Sequence, residues 1–257
     1  MFVDTHAHIY SQEFNEDLDG ILIRAKDVGV TDIFMPNIDS KSLEFMISIA
    51  DKHLFCHPMI GLHPCHVIKD YEAELKIVEK YLLKRSFAGI GEIGIDLYWD
   101  KTYAIEQEKA FRYQISMAHS AGLPFVIHSR DSLDHTIKIV EEMQDGRLSG
   151  IFHCFGGTLE QAKKIIDVGF YLGIGGTLTY KNSGVDRVIA DIPMSSLVLE
   201  TDAPYLSPVP FRGKRNEPSY ILKVAEKLSE IKNISITDIA LQTTENTKKI
   251  FHSTPIL

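Results

Sequence analysis

Six residues of this chain combine side-chain type and spacing in a way that suits metal chemistry: His6, His8, Glu92, His128, His153 and Asp202. Each lies at the end of an apolar run of strand length. In Asp4-Thr5-His6-Ala7-His8 the two imidazoles are two positions apart. Side chains two apart on a strand point the same way, which suits two ligands on one cation. Glu92 sits in Ala88-Gly89-Ile90-Gly91-Glu92-Ile93-Gly94-Ile95-Asp96. A carboxylate there is expensive to bury unless positive charge lies beside it. Its two oxygens could bridge two ions. Four imidazoles and two carboxylates are donors enough for a pair of divalent cations. Such a pair activates a water and clamps the attacking and leaving oxygens of an in-line displacement. Histidine-rich ligation suits Zn, Mn, Fe or Co better than Mg.

Blander roles stand beside these. His128, in Phe125-Val126-Ile127-His128-Ser129-Arg130, and His153, in Ile151-Phe152-His153-Cys154-Phe155-Gly156-Gly157, could each be a core histidine satisfied by a carbonyl. Asp202 precedes Ala203-Pro204, where an aspartate often caps a turn. Asp4 either orients a ligand from behind or caps the turn that follows it. Glu200, two before Asp202 and on the same face, is a rival ligand or a partner for a histidine. Cys154 reads as a small apolar filler. His63, in Gly61-Leu62-His63-Pro64, ends the third run and could orient substrate or serve as an acid, whereas His66 reads as surface. Cations for an anionic substrate are at hand in Arg130, two beyond His128, and in Arg212-Gly213-Lys214-Arg215. Arg130, Lys214 and Arg215 are candidate phosphate contacts; the alternative is a solvated turn that pairs with surface acids.

The elements that must position these groups alternate along the chain. Strands are expected over 2–9, 32–36, 55–61, 87–95, 124–128, 150–154, 170–174 and 197–200. Helical periodicity covers 18–28, 43–51, 72–84, 103–121, 134–143, 159–168, 220–230 and 236–250. Gly29, Gly122 and Gly169 follow three of these helical stretches, where a helix stops. Eight strands alternating with helices point to an α/β chain folded as a (β/α)8 TIM barrel, whose strand ends meet at one catalytic face. A doubly wound open sheet is the competing arrangement, and counting strands does not exclude it. The 257 residues match the roughly 250 that one barrel needs, so a single domain over 1–257 is expected. The segment 202–218, with four prolines, reads as a long functional loop.

A net charge of −8 argues against a protein that coats nucleic acid, though not against a local phosphate pocket. No uncharged apolar stretch reaches the roughly 18 residues of a membrane span. Asp4 and His6 follow Met1 too soon for a signal peptide, and 253–257 match no retention or lipidation signal. Cys56, Cys65 and Cys154 are scattered, without CxxC spacing, so no disulfide framework is expected. A cytoplasmic protein, a monomer or weak oligomer, is the expectation.

With these motifs in order from end to end, the sequence resembles the TatD family of metal-dependent deoxyribonucleases. The resemblance is carried by Asp4-Thr5-His6-Ala7-His8, the Glu92 motif, His128-Ser129-Arg130, Phe152-His153-Cys154-Phe155-Gly156-Gly157 and Leu199-Glu200-Thr201-Asp202-Ala203-Pro204-Tyr205-Leu206. It continues through Arg212-Gly213-Lys214-Arg215-Asn216-Glu217-Pro218. It implies a (β/α)8 barrel of the metal-dependent hydrolase superfamily. It also implies that His6, His8, Glu92 and Asp202 hold one metal and that Glu92, His128 and His153 hold the other. Phe211 stands where relatives often carry His. Related amidohydrolases often bridge their metals with a carboxylated lysine, and Glu92 in that place favours the TatD branch.

The expectation is an exonuclease-type phosphodiesterase that trims single-stranded DNA ends with a two-metal-activated water. In it Glu92, Asp202 and His63 are the catalytic candidates. The alternative is hydrolysis of an amide, lactone or aminoacyl ester by the same centre. A metal-binding barrel that only binds a partner is a third class.

Overall fold

Runs of β-branched and aromatic residues form eight short strands, and helices fold back over them. The computed structural model describes residues 1–252; residues 253–257, read above for targeting signals, lie outside the described residues. The strands are β1 (Phe2–Asp4), β2 (Val30–Met35), β3 (Cys56–Pro58), β4 (Ile90–Asp96), β5 (Phe125–Arg130), β6 (Gly150–Phe152), β7 (Tyr171–Ile174) and β8 (Leu197–Leu199). The helices are α1 (Leu18–Asp27), α2 (Ser40–Lys52), α3 (Tyr71–Leu82), α4 (Ala104–Ala121), α5 (Leu133–Met143), α6 (Leu159–Asp167), α7 (Val185–Ala190), α8 (Ile221–Lys232) and α9 (Ile236–Ile250). Among the described residues every strand pair is parallel, in the orders β1-β2-β3 and β4-β5-β6-β7-β8.

Two seams close these sheets into a barrel. Ile60 bridges to Ile90 between β3 and β4, and Ala7 bridges to Ala203 between the chain beyond β1 and the chain beyond β8. Backbone hydrogen bonds from Thr5 N to Leu199 O, Asp202 N to His6 O and His8 N to Ala203 O continue the second seam. The open-sheet alternative is thereby removed.

Val3, Phe34, Met59, Ala88, Val126, Ile151 and Val198 form a separate apolar cluster, with Tyr171 against it. One side chain comes from each strand or its immediate flank, as a barrel lumen requires. Phe251, just past α9, stacks on Phe34 with ring centroids 4.0 Å apart and joins the same cluster. Period-two alternation then carries the chain from this packing to the site. Val126 leads to His128, Ile151 to His153, and Val198 to Glu200 and Asp202.

Two differences from expectation have local causes. The first strand ends at Asp4, not near residue 9, because the chain bends at Thr5. With Val3 in the lumen, strict alternation would send Thr5 and Ala7 inward; after the bend His6 and His8 face the site instead. The helix α7 was not expected, since its six residues are too few to show a helical period. Among the described residues no helix is long and apolar enough to cross a membrane.

Candidate metal centre

Glu92 is 2% exposed, and its two oxygens face different partners. Oε2 lies 3.2 Å from His6 Nε2 and 3.5 Å from His8 Nε2. Oε1 lies 2.9 Å from His128 Nδ1, 3.7 Å from His63 Nε2 and 3.8 Å from His153 Nε2. The backbone fixes this pose. Glu92 N donates to Asn37 O, Asn37 N donates to Gly91 O, and the β4–β5 register shifts between Ile90 and Ile93. A shift of that kind re-aims a side chain. Burial opposes a charge on Glu92, but His6, His63, His153 and the hydrogen bond with His128 overcome it and hold the carboxyl well below its ordinary range.

Asp202 completes the floor. Its Oδ1 lies 3.6 Å from His8, 3.8 Å from His6 and 3.9 Å from His153, measured to each Nε2. Its backbone is left-handed, with φ +58°, a region Asp tolerates better than most residues. Burial pushes its carboxyl up to about 6, against the pull of His153 and His8.

The histidines are oriented from behind. Tyr10 OH donates to Pro36 O, so its oxygen accepts the proton of His8 Nδ1 at 2.9 Å. In the neutral ring that leaves the lone pair on His8 Nε2, which faces the lone pairs of Glu92 and Asp202. His6 Nε2 is only 3.1 Å from His8 Nε2. Lone pairs converging in this way, with no lysine or arginine among them, fit a bound cation. His128 is held on its far side by Asp96, whose Oδ2 lies 2.9 Å from Nε2. Burial opposes a charge on His128, but Asp96 and Glu92 raise its pKa above the ordinary value. Glu200 Oε1 lies 2.9 Å from His153 Nδ1 and accepts Cys154 N–H at 2.7 Å. Burial opposes protonation of His153, but Glu200, Glu92 and Asp202 hold its pKa up at about 10. His6 and His153 stack, with centroids 3.6 Å apart.

Two glycines make these approaches possible. A Cβ on Gly94, whose φ is +148°, would collide with His128 O, and one on Gly173 would collide with the Glu200 carboxylate. Neither position admits a larger residue without moving a histidine or its partner.

Among the described residues, four groups of potential ligands have donor atoms within 4.8 Å of one another. They are His6–His8–Glu92, His6–His153–Asp202, His63–Glu92–His128 and His153–Cys154–Glu200. Glu92 is shared by two of them. His153 groups with His6 and Asp202, and His63 takes its place beside His128. His63 Nδ1 accepts Cys65 N–H at 3.1 Å, so in the neutral ring the proton is on Nε2, facing Glu92. Burial pushes its pKa down to about 3, which favours that neutral ring.

Of the roles left open by sequence, Glu200 is the partner of a histidine and Asp4 is a cap. The Asp4 carboxyl accepts from His6 N, Thr201 N and Thr201 Oγ1 and, among the described residues, is hydrogen-bonded to no imidazole. The cations of the rim are placed unequally. Arg130 lies over the rings of Tyr98 and Trp99, 4.0 and 5.2 Å from their centroids. Lys214 is exposed. Arg215 is engaged with Asp17 at 2.7 and 2.8 Å and lies over Phe14. Tyr10 and Asp96 hydrogen-bond to His8 and His128, and the sequence motifs leave both without a role. Both carry a signal: Tyr10 is two past His8 and Asp96 four past Glu92, each on the parity of its ligand.

Comparison with known proteins agrees with this geometry. The family model described as TatD related DNase matches residues 3–252. An uncharacterized metal-dependent hydrolase of Bacillus subtilis, YabD, is 37% identical over 98% of this chain and 99% of its own. The crystal structure of YjjV, a TatD homologue from Escherichia coli, superposes with a TM-score of 0.93 at 31% identity, covering 98% of both chains. A TatD family hydrolase from Entamoeba histolytica shares the fold, with a TM-score of 0.83 at 24% identity over 97% of each chain. The chain belongs to the TatD-related DNase family of metal-dependent hydrolases.

Proposed function

We propose that this protein is a deoxyribonuclease of exonuclease type, which trims single-stranded DNA ends with two divalent cations. The observation that carries the reading is Glu92, buried and turned with one oxygen toward His6 and His8 and the other toward His128. His6, His8, Glu92 and Asp202 would hold one cation, and Glu92, His128 and His153 the other. Bound divalent ions lower the pKa of a water and neutralise charge on a phosphoryl group.

The side chains of the chain supply the rest. Asp202, whose carboxyl lies at about 6 in the metal-free chain, is mostly ionised at neutral pH even before a cation binds, and its free oxygen would accept a proton from the attacking water. His63 offers an Nε2–H toward the centre, a donor for a phosphate or leaving-group oxygen. Arg130 and Lys214 hold non-bridging phosphate oxygens. Arg215 joins them only by exchanging its pair with Asp17. Three free cysteines fit a reducing compartment, which supports the cytoplasm as its place of work.

The test is hydrolysis of end-labelled single-stranded and duplex DNA by chelated protein reloaded with Mn, Zn or Mg. Metal-dependent release of short products from one end of single strands is the expected result. Turnover of carboxyl esters or amides with none of DNA would overturn the phosphodiester reading.

A further inference from the structure

The loop after β4 carries the only tryptophan of the chain, and it is not packed away. Tyr98 is 52% and Trp99 69% exposed, an unusual outlay of aromatic surface. Both are fixed to the centre through their backbone: Tyr98 N and Trp99 N donate to Asp96 Oδ1 at 2.9 and 3.1 Å, and Asp96 Oδ2 holds His128. Their rings meet edge to face, 5.0 Å between centroids. Arg130 lies against both rings and, among the described residues, forms no ion pair. A guanidinium held by aromatic faces keeps its charge available for an anion. Beside Trp99 a cleft of about 80 Å³ opens between this loop and the one after β3, lined among others by Pro64, Cys65, Ile68 and Tyr103. Pro64 follows His63 directly, so the cleft adjoins the centre.

We propose that Trp99, with Tyr98 and Arg130, is a nucleobase-stacking subsite that seats an unpaired base of single-stranded DNA beside the metal centre. The proposal rests on the phosphodiesterase reading and supplies its strand preference. A base in duplex has both faces covered by its neighbours, whereas a free base can lie on the indole and in the cleft. Arg130 then meets the adjoining phosphate. Stacking of this kind is tolerant of sequence and adds roughly tenfold or more in affinity per base.

Because Trp99 is the sole tryptophan, its fluorescence reports on the subsite directly. Metal-loaded protein titrated with a phosphorothioate-linked oligothymidylate is expected to show saturable quenching, and a blunt hairpin duplex is not. Trp99→Ala keeps the backbone donors to Asp96. It is expected to raise KM for single-stranded DNA about tenfold, with kcat within about twofold. Its turnover of bis(p-nitrophenyl) phosphate, which needs no base, should match the wild type, and Trp99→Phe should recover most of the loss. Equal quenching by duplex, or an unchanged KM in Trp99→Ala, overturns the subsite alone. A parallel fall on DNA and on bis(p-nitrophenyl) phosphate marks damage to the Asp96–His128 contact and overturns it too. Wild-type protein that hydrolyses neither substrate removes the phosphodiesterase reading, and the subsite with it.

Discussion

Asp96 Oδ2 stands 2.9 Å from Nε2 of His128, on the side of the ring away from Glu92 Oε1, which is 2.9 Å from Nδ1. An imidazole pinned between two carboxylates cannot turn, and its basicity is raised. Asp96 is ionised in this position. Burial opposes its charge, but His128 and the N–H groups of Trp99 and Tyr98 hold its carboxyl well below the usual range. Asp96→Asn is expected to weaken metal binding about 10–100-fold, as loss of such a partner generally does. Equilibrium dialysis against Zn or Mn checks this, and activity should return at higher metal concentration. Unchanged affinity would mean that His128 is not a ligand.

Metal loading should release protons at neutral pH. In the metal-free chain His153 has its pKa held up at about 10, so at pH 7 the ring carries its extra proton. A ligand nitrogen must give that proton up. Asp202, at about 6, is already mostly ionised at pH 7 and protonates as pH falls. Apparent affinity should therefore drop as pH falls through about 6, and at least one proton should be released on binding at pH 7, from His153 and in part from His128, whose pKa is also raised. Calorimetry in buffers of different ionisation enthalpy measures both; no proton release at pH 7 would contradict the assignment of His153.

Asp202 also has a stability consequence in the metal-free protein. Its folded pKa is raised above the unfolded value of 3.8, so the folded state binds the proton more tightly. That contribution is present at low pH and is lost as pH rises through about 6. Asp202→Asn should flatten the fall in metal-free melting temperature over this window, and differential scanning calorimetry at several pH values would detect it.

Gly173 is expected to be intolerant of alanine. The added Cβ meets the Glu200 carboxylate, which in turn holds His153. Overpacking of a filled interior costs about 1–3 kcal/mol, roughly 2–4 °C in melting temperature per kcal/mol for a chain of this size. The variant should lose metal as well as stability. A stable Gly173→Ala with full metal content would show that Glu200 does not position His153.

Much of this centre is legible in the sequence, and the failures have physical reasons. The HxH spacing brings His6 and His8 together although the strand ends before them, because the bend at Thr5 resets the alternation without breaking the chain's run toward the site. Asp96 is within reach of period-two spacing. Tyr10 is harder to find, since its value depends on the hydrogen bond to Pro36 O on another segment of the barrel. The choice between ligand and partner for Glu200 needs its 2.9 Å approach to His153, and that rests on Gly173 and on three strands at once. No local pattern records such a contact. The short α7 leaves no period to read.

The basic loop shows the same limit. Arg130, Lys214 and Arg215 look alike as cations, but Arg215 is committed to Asp17, a partner 198 residues away. Arg215→Ala should therefore cost about 0.5 kcal/mol in stability, as a partly exposed ion pair does, and leave KM for DNA nearly unchanged. Arg130→Ala should raise KM several-fold. Thermal melts and initial rates on an end-labelled single strand separate the two; an Arg215→Ala variant with a KM raised as far as that of Arg130→Ala would contradict this division.

The proposed role of Glu92 as a ligand shared by two metals is tested most directly by counting metal and activity together. Bound metal per chain and the rate on end-labelled single-stranded DNA are measured in one preparation of wild type and of Glu92→Gln, which keeps the shape and removes the charge. The expected result is two metals and metal-dependent hydrolysis in the wild type, and in the variant the loss of at least one metal with a rate lower by about a thousandfold or more. A Glu92→Gln protein with full metal content and full activity would contradict the bridge.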